Sequence, residues 1–137
     1  MSFIVDASIA ASWFLPDEAT PSATALARRG AHEYPTVPSL FVHEMRNLLV
    51  MALRRGRVSE THVRQQFDDL EKPRKAIADP SEPGAILRLA VKHGLTGYEA
   101  TYLALALEKG LPLATLDKPL AAAARAEKVP ILGPLAP

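Results

Sequence analysis

Apolar positions along this chain recur in two ways, and their alternation predicts a helix-rich α/β fold. Short apolar or β-branched runs stand at Ser2 to Val5, Tyr34 to Val37, Leu113 to Leu116 and Val129 to Leu132. Such runs, bounded by turn residues, read as buried strands. Between them apolar residues return every three or four positions, the spacing of one helix face. The predicted helices are Ala7 to Leu15 with Asp6 as a cap, Ser22 to Arg29 stopped by Gly30, and Pro38 or Ser39 to Arg55 ended by Gly56. Pro16 and Pro21 bracket a loop. Another helix runs from Ser59 to about Leu70, and Lys72 to Ala78 is a loop with room for a short strand. Asp79-Pro80-Ser81-Glu82 offers a cap, a proline at the first helical position and an acid in the first turn, so a helix is expected from there to His93, with Gly94 as its stop. Thr96 opens the next helix and Gly110 closes it. Pro119 to Lys128 is an Ala-rich helix.

Strands that alternate with helices imply right-handed βαβ units: a parallel sheet with helices on both faces. At 137 residues the chain is one domain. That domain spans residues 1–133, and 134–137 form a loose tail.

Composition narrows the function. Cysteine is absent, which excludes disulfides, thiolate zinc sites and a cysteine nucleophile. The amino terminus shows no signal peptide, because Asp6 interrupts the apolar stretch early. No apolar run approaches the roughly 20 residues of a membrane span. A cytoplasmic location is the expectation. Net charge is only +1, so the whole-molecule field gives no strong pull toward nucleic acid. Local basic clusters at Arg28-Arg29, Arg54-Arg55 with Arg57, and Lys72 with Arg74 and Lys75 permit contact with phosphates without requiring it.

Four acids stand out against this background. Asp6 ends the run Phe3-Ile4-Val5. Glu44 interrupts the stripe Leu40, Phe41, Met45, Leu48. Glu99 lies one turn before Leu103 in an apolar segment. Asp117 closes Leu113 to Leu116. A carboxylate beside a hydrophobic core costs several kcal/mol unless it is paired or holds a cation. With few cationic mates in sight, one shared divalent site is the economical reading. Asp6 and Asp117 fall at carboxyl ends of strands, where open parallel sheets bind ligands. Glu99 lies in the first turn of a helix after a loop. Asn47, one turn beyond Glu44, is placed to orient that carboxylate or a water.

Local roles compete for each acid. Asp6 and Asp117 are good caps. Thr96-Gly97-Tyr98-Glu99 is a capping box, in which Glu99 reaches back to the Thr96 amide. Glu44 has the option of an arginine partner. Other chemistries fare worse. His43-Glu44 starts a zincin-like pattern, but Asn47 occupies the second histidine position. There is no phosphate-cradling glycine loop and no nucleophile elbow. Asp6-Ala7-Ser8 lacks the second aspartate of a dehalogenase-type phosphatase. Trp13, Phe14 and Phe41 read as core rather than stacking platforms, and His93 as a dipole partner at a helix end.

With these residues in hand, the chain resembles the PIN-domain ribonucleases, and within them the VapC-type toxins of toxin–antitoxin pairs. The resemblance rests on Ile4-Val5-Asp6-Ala7-Ser8, on Val37-Pro38-Ser39-Leu40 leading to Glu44 and Asn47, on Leu95 to Ala100 with Tyr102 to Ala106, and on Leu113 to Asp117. It implies a magnesium- or manganese-dependent endoribonuclease with Asp6, Glu44, Glu99 and Asp117 as its catalytic acids. Asp6 and Asp117 would be direct metal ligands. Glu99 joins them, or with Glu44 holds metal-bound water. Ser8 and Thr115 match positions that orient a carboxylate or water. The departure is Glu99, where the family usually has Asp. The resemblance further implies RNA as substrate, a cognate antitoxin and a homodimer, with residues 38–70 as candidate interface. No substrate-binding residue is assigned. The alternatives are a catalytically weakened PIN module that binds RNA or a partner without cutting, and a small-molecule phosphohydrolase. A receiver-like domain lacks its acidic pair.

Overall fold

A computed structural model describes Ser2 to Pro137. Five strands of two residues each, all parallel, form one sheet: β1 (Ile4–Val5), β2 (Thr36–Val37), β3 (Ala76–Ile77), β4 (Leu113–Ala114) and β5 (Ile131–Leu132). Their order is β3-β2-β1-β4-β5. The chain builds outward from β1 to β2 and β3, then returns across the sheet to lay β4 beside β1. The order reverses there, and such a reversal opens a crevice at the strands' carboxyl ends. Val5 and Ala114 pair directly at that point.

Seven helices connect the strands: α1 (Ala7–Phe14), α2 (Pro21–His32), α3 (Leu40–Arg54), α4 (Glu60–Glu71), α5 (Pro83–His93), α6 (Gly97–Lys109) and α7 (Lys118–Ala126). A 3-10 turn, Pro16–Glu18, replaces part of the expected loop after α1. One layer is built by α1 packing on α2 and α3, and α3 on α4. In the other, α6 packs on α5, α7, β1 and β4. Every residue of α6 from Ala100 to Ala106 is buried, as expected for a helix apolar on all sides. Phe3, Ile4, Met45, Leu49, Leu103 and Leu105 are wholly inside the core.

Three details depart from the sequence reading. Gly30 does not stop α2, which continues to His32. A glycine ends a helix by taking positive φ, as Gly94 and Gly110 do and Gly30 does not. Gly30 instead faces Phe3 and Pro35, where an added Cβ would stand 3.7 and 3.5 Å from their rings. The second departure is the start of α5, at Pro83 rather than Pro80. Asp79 is engaged elsewhere: it accepts from the Ser39 amide at 2.9 Å and the Ser39 hydroxyl at 3.0 Å, tying it to the head of α3. Finally, Leu135 in the terminal segment packs against the core, and its carbonyl accepts a hydrogen bond from Arg125. Among the described residues, no helix is long and apolar enough to cross a membrane.

Candidate active site

Asp6 sits at the β1–β4 crevice and is 5% exposed. It caps α1: its Oδ1 accepts from the amides of Ser8 (3.1 Å) and Ile9 (3.2 Å) and from the Ser8 hydroxyl (2.6 Å). Its Oδ2 accepts from the Thr115 hydroxyl at 2.5 Å. Both hydroxyls are themselves directed. Ser8 Oγ accepts from the Leu116 amide at 2.8 Å, and Thr115 Oγ1 from the Asp117 amide at 3.0 Å. An oxygen that accepts from an amide presents its own proton elsewhere, here to Asp6. Two hydroxyls thus fasten the end of β1 to the segment after β4. Burial raises the Asp6 carboxyl above the usual carboxylate range. The bonds from Ser8, Thr115 and Ile9 oppose the rise, and the Asp117 charge adds to it.

Glu44 lies on α3 and half-buried. Its Oε1 accepts from the Tyr102 phenol at 2.6 Å, across from α6. Burial raises its carboxyl too; Tyr102 opposes that and the Asp6 charge reinforces it. The Tyr102 phenol is raised in turn, first by burial and then by Glu44, so it stays protonated as a donor. No arginine partner exists for Glu44 among the described residues; tyrosine does that work. Sequence reading placed Tyr102 in an apolar helical stretch and assigned it no site role. The available signal was a phenol amid Ala and Leu, since a buried tyrosine hydroxyl almost always has a partner.

Glu99 accepts from the Thr96 hydroxyl through Oε1 at 3.0 Å, and its own amide donates to Thr96 Oγ1 at 3.1 Å. The capping box is therefore half formed: the Glu99 side chain meets the threonine hydroxyl rather than the amide. Asp117 caps α7, its Oδ1 accepting from the Leu120 amide at 2.9 Å. So the local roles offered for Asp6, Glu99 and Asp117 are real, but each uses only part of the carboxylate. Among the described residues nothing bonds the second oxygens of Glu44, Glu99 and Asp117, and Asp6 Oδ2 keeps a free lone pair beside Thr115.

All four acids line one cleft of about 250 Å³, together with Ser8, Thr96, Tyr98 and Tyr102. No lysine, arginine or histidine borders it. None of the four forms an ion pair with a described residue. His93 is committed to Glu127 at 2.7 Å, and His62 to the Phe14 carbonyl at 2.7 Å. Asn47, expected to orient the Glu44 carboxylate or a water, does not bond the carboxylate. It is exposed and lines a neighbouring groove. On α3 the residue three beyond Glu44 turns outward, away from the stripe Phe41, Met45, Leu49.

The four acids share a cleft without closing into a cage. Among the described residues, no three acids or histidines stand close enough to grip one ion unaided. The donor set nonetheless suits a hard, hydrated cation. Magnesium keeps several waters and needs only one or two protein carboxylates. Here there are only oxygen donors, the buried Asp6 beside the half-buried Asp117, and no cationic side chain along the cleft to neutralise them.

The chain is 35% identical over 135 residues to Ribonuclease VapC3 of Pyrobaculum aerophilum, covering 96% of this chain and 98% of that protein. It belongs to the VapC family of PIN-domain ribonucleases. A second VapC relative, Exonuclease VapC9 of the same organism, is 32% identical over 116 residues, or 79% of this chain and 86% of the other. The VapC fold recurs in the crystal structure of Mycobacterium tuberculosis VapC20, described as a Sarcin-Ricin loop cleaving toxin. That structure has a TM-score of 0.66 and 17% identity, with 89% of this chain and 95% of that one covered. No protein-family model matches the chain.

Proposed function

We propose that the protein is a metal-dependent endoribonuclease and the toxin of a toxin–antitoxin pair. The observation that carries this reading is the convergence of Asp6, Glu44, Glu99 and Asp117, from four different elements, on one cleft without a cationic side chain. Asp6 and Asp117 would hold the divalent ion, magnesium or manganese, and Glu99 would reach it through a metal-bound water. When bound, such an ion lowers the pKa of its water and neutralises charge developing on the phosphate. Ser8 and Thr115 hold Asp6 in one orientation. Tyr102 fixes one oxygen of Glu44 and leaves the other to face the cleft, where it positions or deprotonates a water. The proposed partners are RNA, an antitoxin that blocks the cleft, and a second copy of the chain against α3 and α4, all in the cytoplasm.

Internal cleavage is favoured over end-trimming because the acid cleft does not dead-end. It continues past Ala7, Glu44 and Tyr98 into a larger groove. The test is a circular RNA incubated with the purified protein and magnesium or manganese. Linear products that vanish on adding EDTA are expected. An intact circle beside trimmed linear RNA would leave an exonuclease, and no cleavage under any divalent condition would reject the proposal. One observation favours the weakened module as a second reading: Glu99 is longer than aspartate and tethered to Thr96. Calorimetric manganese binding without RNA cleavage would select it.

Tyr102→Phe gives a further expected result. Its hydroxyl opposes the burial-driven rise of Glu44. Removing it moves the Glu44 carboxyl further up, so Glu44 loses its charge at higher pH than before. The acid limb of the cleavage profile shifts toward neutrality, and the rate at neutral pH falls about tenfold, within the range for removing a supporting hydrogen bond. An unchanged pH profile would show that Glu44 does not titrate in the reaction.

A further inference from the structure

We propose that the groove beside the acid cleft seats one unpaired RNA strand, with a base stacked on Tyr98 and a backbone phosphate held by Arg55. This rests on the ribonuclease reading and adds the substrate-binding residues to it.

The groove runs along α3. Glu44, Asn47, Met51 and Arg55 all line it, at the three-, four- and seven-residue spacings that set side chains on one helix face. It holds about 510 Å³ beside the 250 Å³ of the acid cleft. Ala7, Glu44 and Tyr98 line both spaces, so the two are continuous. From Glu44 to Arg55 the helix rises roughly 16 Å at 1.5 Å per residue, enough for a few extended nucleotides.

Charge changes sign along this path. At one end is Glu44, next to the acids. At the other is Arg55, exposed and in no ion pair with a described residue. Arg57, in the turn just past α3, is different: Asp17 binds it at 2.9 Å and Glu18 lies 3.6 Å away, so its charge is already matched. Among the described residues lining the groove, Arg55 is the cation in no ion pair. A phosphate strand repelled by the acids gains affinity there, at a distance from the reacting bond.

Tyr98 stands where the two spaces meet. It is 68% exposed, and no described residue bonds its hydroxyl. Tyr34, Ile77, Leu87 and Val91 are comparably exposed, but none of them borders the acids. Glu99 beside it faces the acid cleft. Bases stack on aromatic faces irrespective of sequence, and a base can do so only when unstacked from a duplex. Hence the occupant is a single strand or a loop.

The test uses a fluorescein-labelled single-stranded RNA 12-mer and fluorescence anisotropy with magnesium present. The protein carries Asp6→Asn, so that binding is read without cleavage. Adding Tyr98→Ala or Arg55→Ala is expected to weaken binding about tenfold each. Tyr98→Phe is expected to bind like its parent. Arg55→Ala should also flatten the salt dependence by about 0.7 in log–log slope, the share of one phosphate contact on a single strand. Both positions are exposed, and melting curves confirm that the variants fold. Parental binding with no loss in either variant overturns the groove assignment and leaves the ribonuclease reading standing. A parent that binds no RNA sinks both. A changed oligomeric state in Tyr98→Ala, read by light scattering with RNA affinity intact, would make this face a subunit contact and overturn the assignment too.

Discussion

Asp6→Asn is expected to cut RNA cleavage by about a thousandfold or more while leaving the protein about as stable as before. The activity figure follows from several kcal/mol of charge stabilisation supplied through a ligated cation, at about 1.4 kcal/mol per tenfold. The stability figure follows from what asparagine preserves. It ranks with aspartate as a cap, and its oxygen still accepts from the Ser8 and Ile9 amides. What disappears is a buried charge beside Asp117 and, because an amide nitrogen cannot accept, the acceptor of the Thr115 hydroxyl; the two losses act in opposite directions. Because the folded Asp6 carboxyl is raised above its ordinary value, chiefly by burial, its stabilising contribution is present below the unfolded pKa and lost as pH rises through the folded one. Any gain in the asparagine variant should therefore appear at neutral pH and fade in acid. Cleavage assays paired with thermal melts in EDTA at both pH values check this. Full activity would remove Asp6 from the chemistry. A large drop in melting temperature would mean that the cap, not the charge, governs this position.

Thr115→Val should do damage of another kind. The side chain is completely buried and nearly isosteric with valine, so packing is kept. Two polar partners are stranded: Asp6 Oδ2 loses a donor, and the Asp117 amide loses its acceptor. At about 1–3 kcal/mol for a buried group left unmatched, and less for the part-buried Asp117 amide, the expected destabilisation is about 2–4 kcal/mol in urea unfolding. Cleavage should fall about 10- to 100-fold, the usual cost of removing a group that orients a metal ligand. Thr115→Ser restores the hydroxyl and should recover most of the activity. Failure of serine to rescue would show that the methyl group, rather than the hydrogen bonds, matters here.

Much of the architecture could be read from the chain because the relevant signals are local. Asp6 and Asp117 end apolar runs, and a carboxylate in that position marks a strand terminus and places both acids on the candidate cleft. Gly94 and Gly110 stop their helices as expected, since both take the left-handed conformation. Errors arose where one local signal had two outlets. Asp79 looks like a helix cap, yet it caps nothing on its own side of the chain and binds Ser39 across space. Pro80 and Pro83 are both acceptable first residues of a helix, and only tertiary context chose the second. Tyr102 escaped notice for the same reason. Its partner Glu44 is far away in sequence, and no periodicity reports a pairing of that range. Asn47 shares a groove with Glu44 without bonding it, a distinction that spacing alone cannot draw.

The buried helix α6 has a consequence for how this enzyme can diverge. Tyr102 lies within the buried run of α6 and Glu99 directly precedes it, so a shift of either is resisted by the packed interior. Tyr98 and Arg55 sit at its periphery, where substitution costs little. On the proposed reading, the grip on RNA is thus free to vary between lineages while the acids of the cleft are held in place.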